Sequence, residues 1–171
     1  MKPSVSIPLL ILVICAVTLT HISAVETQEG TLILLDGRKV DGFGYIKNQW
    51  TSKTRNCENI SKLQPEDASY REAEKLIRTY SPPGSQSAKI ASAWATEPWV
   101  LIEVEFDVLL PAVVTLRKVD GKLTIVPQGI WSGYTQPWLA GPFIRNYLSK
   151  QSPEMPTSLL DCFDPQSKSF K

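Results

Sequence analysis

The chain holds one histidine, His21, three cysteines and two methionines in 171 residues. His21 and Cys15 both fall in a segment that reads as an export leader, so the rest of the chain has no histidine and only Cys57 and Cys162. Without an imidazole, a serine or cysteine nucleophile has no histidine base, and zinc loses its commonest nitrogen ligand. The motifs of familiar chemistry are missing too: there is no Gly-x-x-x-x-Gly-Lys phosphate loop and no Gly-x-Ser-x-Gly elbow. Ser132 beside Gly133, and the adjacent pairs Ser52-Lys53 and Ser149-Lys150, offer nothing more specific. Charge of one sign is also lacking. Lys2 is the single Lys, Arg, Asp or Glu among positions 1–24, so residues 25–171 carry 17 basic and 17 acidic side chains. Such a balance gives no long-range attraction for nucleic acid or an anionic surface.

One apolar run is present, residues 7–19. It is shorter than the roughly 20 residues needed to cross the hydrocarbon core and suits the h-region of a signal peptide. Lys2 precedes it, and Ser23 and Ala24 come after it as small residues, placing the expected cleavage after Ala24. A lipoprotein site at Cys15 is the weaker reading, because Ile14 is bulky and the apolar run continues past it. The expected organisation is a leader over residues 1–24 and a single α+β domain over 25–171, periplasmic or secreted, with no stable membrane anchor after cleavage. In an oxidising compartment Cys57 and Cys162 are expected to form a disulfide that straps the C-terminal tail to the start of the domain.

Within that domain, residues 31–35 and 40–46 flank the turn dipeptide Asp36-Gly37 and predict an N-terminal β-hairpin, with Gly42 and Gly44 marking a bulge. Residues 65–80 predict the main helix: Pro65, Glu66 and Asp67 suit its first turn, and Tyr70, Ala73, Ile77 and Tyr80 recur at helical spacing. From 100 to 108 the chain alternates, with Ile102, Val104, Phe106 and Val108 on one face and Glu103, Glu105 and Asp107 on the other. Residues 112–119 and 122–127 around Asp120-Gly121 predict a second hairpin, with Val119 facing Lys122. A connection of residues 109–111 keeps the apolar faces together and sets Glu103 opposite Arg117 and Glu105 opposite Thr115. Residues 87–95 add a further strand. The expectation is a helix on a curved meander of three or four antiparallel strands with one wet face. A short helix from Pro142 and an extended tail containing Pro153, Pro156 and Pro165 complete it. This order resembles small cystatin-like or NTF2-like domains, a likeness of fold that implies no particular function.

Two constellations are candidates for function. Glu103 and Glu105, at alternate positions of one strand, have the residue type for acid-base work on a glycan or for a hard cation, although a solvated sheet face with Arg117 as partner fits the pattern better. Trp131, Tyr134 and Trp138, separated by small residues and proline, predict an aromatic contact platform, with core capping as the competing role. No cofactor and no metal are expected. The leading expectation is therefore a small exported protein, not an enzyme, that acts by protein-protein contact, as an immunity or inhibitor protein against an envelope-acting enzyme does. Its contact residues would be Trp131, Tyr134 and Trp138, with Glu103, Glu105 and Arg117 at the rim. A carboxylate-dependent envelope glycan hydrolase and a structural module pairing through a free edge at residues 31–35 are the alternatives.

Overall fold

The computed structural model describes residues 21–165 and Phe170. Nearly all of the expected leader lies outside those residues. The described chain is α+β with antiparallel sheets. It opens with β1 (Ile22–Thr27), β2 (Gly30–Leu35) and β3 (Arg38–Val40), a small sheet in that order, followed by helix α1 (Gly42–Thr54). The second sheet has five strands in sequential order: β4 (Ser61–Lys62), β5 (Lys89–Thr96), β6 (Trp99–Glu105), β7 (Ala112–Val119) and β8 (Lys122–Ser132). Helix α2 (Ala68–Tyr80) enters between β4 and β5, and α3 (Ala140–Gln151) and α4 (Thr157–Cys162) follow β8.

Both faces of the five-stranded sheet are covered. On one face, Ala73 and Ile77 of α2 pack over Ala93, Ile102, Val104, Val114 and Leu116. On the other, Ile144 and Leu148 of α3, Leu159 and Leu160 of α4, and Phe163 and Phe170 pack over Trp99, Leu101, Val113 and Trp131. The expected wet face is thus absent, because the short C-terminal helix is joined by α4 in a full second layer. The tail is helical over six residues where its prolines predicted an extended strap. The sequence of β6 fits this arrangement, since Trp99 to Ile102 is apolar without interruption, the pattern of a strand buried on both sides.

The β6–β7 register keeps the predicted parity but slides by four residues. Val104 pairs with Ala112 and Ile102 with Val114, so Glu103 lies opposite Val113 and Arg117 opposite Trp99. The connection is long as a result, running over residues 106–111. At the next turn Val119 faces Lys122, with Asp120 and Gly121 both at positive φ. This is the geometry that a two-residue hairpin loop requires.

Residues 40–46 do not form the second strand of a hairpin. Pairing stops at Val40 and the chain turns into α1, while β1 supplies an additional partner for β2. The cause is local. Asp41 caps the helix, its carboxylate accepting from Gly44 N at 2.7 Å, and its other oxygen accepts from Leu139 N at 3.0 Å. A Cβ on Gly44 would sit 2.0 Å from that carboxylate, and one on Gly42 would sit 2.5 Å from Ile33 Cδ1. These glycines permit close approach at a helix start rather than a bulge.

Helix α1 buries none of its side chains. It is held through polar contacts: Arg145, buried on α3, donates to Asn48 Oδ1 and, at 3.0 Å, to the Phe163 carbonyl. Burial lowers the pKa of the Arg145 guanidinium from its ordinary value, and the charges of Asp164 and Asp161 oppose that shift. Just beyond the helix, the Cys57–Cys162 disulfide joins the chain to α4 with a Cα–Cα distance of 5.8 Å.

Candidate functional site

The six-residue β6–β7 connection builds the most distinctive surface of the sheet. Lys89 Nζ bonds Asp107 Oδ1 at 2.8 Å, and the Asp107 amide donates to Ser87 Oγ at 3.1 Å. The hydrogen bond to Asp107 and its charge raise the Lys89 pKa above the ordinary lysine value. With its base pinned there, the loop projects Val108, Leu109 and Leu110, and Val108 is 79% exposed. Leu109 rests on the 3-10 turn Gly84–Ser87, where a Cβ on Gly84 would lie 3.0 Å from the Leu109 side chain.

Beneath the loop is a cavity of about 330 Å³ with an apolar lining. Ile77 and Tyr80 from the last turn of α2 form one wall, Phe106, Leu109 and Leu110 the other, and Val114, Ile125 and Ile130 the floor. A bulge in β8 opens that floor. Leu116 pairs with Ile125 but Val114 pairs with Ile130, so residues 126–129 all oppose Thr115. Ile125 and Ile130 thereby stay on the α2 face while the strand bends between them. Gly129 is required inside the bulge, since a Cβ there would lie 2.7 Å from the Thr115 Cβ. On the far side of the loop, Glu105, Pro111 and Tyr134 line a second, more polar hollow of about 410 Å³.

The structure disperses the residues singled out from sequence. Glu105 and Tyr134 meet at this loop, and Tyr134 is exposed. Arg117 sits near the other end of β7, roughly 16 Å away by strand rise. There it stacks its guanidinium 5.0 Å from the Trp99 ring centre and pairs with Glu154 at 2.6 Å. Trp138 lies at a third place, half-buried against Gly30 and stacked on Phe143 with ring centres 5.9 Å apart. Trp131 is in the core, edge-on to Phe170 at 5.4 Å and to Phe143 at 6.3 Å. It braces α3 and the tail and is only 7% exposed, which fits the core-capping role.

The acidic stripe is also divided by burial. Glu103 is 0% exposed beneath the second helical layer, where it accepts from Ser92 Oγ at 2.9 Å. Glu105 is partly exposed, so the two carboxylates do not face one open cleft. The Glu103–Arg117 pair expected from the shorter loop does not form, because the four-residue slide of register sets Val113 opposite Glu103. Among the described residues there is no cluster of His, Cys, Asp and Glu able to hold a metal ion, and no helix long and apolar enough to cross a membrane. Strand β2, expected as a free edge, is central in its sheet, flanked by β1 and β3.

The sequence reading gave Val108 and Tyr80 to packing faces and Leu109 and Leu110 to a short connection, and named none of them as a contact residue. A signal for them exists: the apolar run continues through 108–110 up to Pro111, where a connection would ordinarily carry polar turn residues. Comparison of the chain with protein-family models, with curated proteins and with solved structures gives no match. The functional reading therefore rests on the surface itself.

Proposed function

We propose that the chain is an exported small binding protein that acts by protein-protein contact, without chemistry of its own. The observation that carries this reading is the pinned apolar loop, Val108 to Leu110, standing over an apolar cavity with charged groups at its base. Exposed apolar side chains beside a preformed concavity are how a contact surface anchors a partner's aliphatic or aromatic side chain. Tyr80 and Tyr134 flank the loop and supply area with a polar tip. Glu105 and the Lys89–Asp107 pair provide a rim that selects among partners more than it binds them. An immunity or inhibitor role against an envelope-acting enzyme is the task that suits such a surface together with the Cys57–Cys162 disulfide.

The test is affinity capture from envelope extract with three forms, each shown by circular dichroism to be folded. Wild type and Arg117→Ala are expected to retain the same partner, and a Val108→Asp/Leu110→Asp variant is expected to lose it. Retention by the loop variant would overturn the placement of the contact, and capture of nothing by wild type would overturn the reading.

A further inference from the structure

The cavity beneath the connection of residues 106–111 is larger than an anchor for one side chain requires. An apolar cavity of about 150 Å³ holds a benzene ring. The 330 Å³ here is about twice that, so a single leucine or phenylalanine of a partner would leave much of it empty. Its walls are also fixed in advance. The Lys89–Asp107 pair and the bond from the Asp107 amide to Ser87 hold the connection at its base. Leu109 rests against Gly84, and the β8 bulge sets Ile125 and Ile130 apart on the floor.

The lining is chemically one-sided. Among the described residues that form it, none is charged. Ser85 Oγ donates to the Arg78 carbonyl at 2.9 Å and accepts from the Ser81 amide at 3.0 Å, and Ser132 Oγ donates to the Pro111 carbonyl at 3.2 Å. Those two hydroxyls are spent on the backbone, so water in the interior finds few of the polar partners that hold it in place. Tyr80 and Ser81, both exposed, are the remaining polar lining residues. We propose that the cavity binds a free, uncharged, hydrocarbon-like small molecule of about a dozen non-hydrogen atoms, its chain over Val114, Ile125 and Ile130 and its polar end at Tyr80 and Ser81. Charge selects the neutral class. One wall is the last turn of α2, the negative end of a helix dipole, and Lys89 at the base of the connection is already paired with Asp107. An anionic head would meet no free cation in the lining. The inference goes beyond the protein-contact reading and does not rest on it, because Val108 is outside the lining and stays available to a partner.

Methyl NMR of the purified protein, titrated with 1-decanol, tests the site. The methyls of Ile77, Leu109, Ile125 and Ile130 are expected to shift together along a single saturable curve. Ile125→Trp and, separately, Ile130→Trp each place an indole in the void from a partly exposed position. Each should weaken binding at least about tenfold, the scale of the apolar contact displaced. The wild-type shift map locates the site even where one of these variants does not fold. Decanoate, with the same chain and a charged head, should bind about threefold or more weaker than decanol. No saturable shift up to the solubility of decanol, shifts confined to Ile46 on α1, or unchanged affinity in both tryptophan variants would overturn the site. Tighter binding of decanoate would overturn the neutral class. No partner is present in the titration, so its failure leaves the affinity capture standing, and failure of the capture leaves the titration standing.

Discussion

Removing the disulfide should do more than lower global stability, because of where it is tied. Cys57 and Cys162 are separated by 105 positions. For a closed loop of that size the chain-entropy relation gives about 4.7 kcal/mol at 25 °C, roughly a 2,000-fold change in the folding equilibrium. The local consequence comes from α1, which buries no side chain. Its attachment rests on the Asp41 bond to Leu139, the Arg145–Asn48 bond, the 3.4 Å bond from Arg55 to the Asp161 carbonyl, and the disulfide three residues past its end. Polar contacts of this kind contribute about 1 kcal/mol each, so the covalent tie dominates. In a Cys57→Ala/Cys162→Ala variant, guanidinium unfolding should show a loss of about 3–5 kcal/mol. Hydrogen exchange should show α1 amides losing protection beyond the loss in β6 and β7, whose side chains are buried on both faces. A stability change below about 1 kcal/mol, or equal loss of protection in α1 and the central strands, would refute the reasoning.

Buried groups set two other outcomes. Glu103→Ala should destabilise the fold by about 2–4 kcal/mol in thermal or denaturant unfolding, since it strands the Ser92 hydroxyl and leaves a hole under the second layer. Glu103→Gln keeps the shape and an acceptor and should cost less, so a glutamine as damaging as the alanine would contradict this account. Tyr70 has its pKa raised above 10.0 by partial burial, and then by the charge of Glu74. A raised folded-state pKa means that its contribution is complete below about pH 10 and is lost as pH rises through the folded value. Wild type should therefore lose stability relative to Tyr70→Phe above about pH 10, and parallel curves for the two would refute the shift.

The sequence by itself determined the local features: the main helix ending at Tyr80, the Asp120-Gly121 turn with Val119 against Lys122, the α+β class and the pairing of Cys57 with Cys162. Each of these depends on simple chemistry, a helical period, a dipeptide that tolerates positive φ, or a pair of cysteines outside the expected leader. Tertiary structure decided what periodicity cannot rank. Alternation along β6 showed which residues share a face, but the faces of Glu103 and Ile102 differ only in what later packs on them, and α3 and α4 cover the acidic one. Register was open for the same reason, because a shift of four residues preserves every face and changes every partner. Residues 40–46 became a helix start because Asp41 finds Leu139 N, a donor 98 positions away. The exposure of Phe43, Ile46 and Trp50 was likewise invisible, since residues 40–46 read as a strand until the fold makes them the start of a helix.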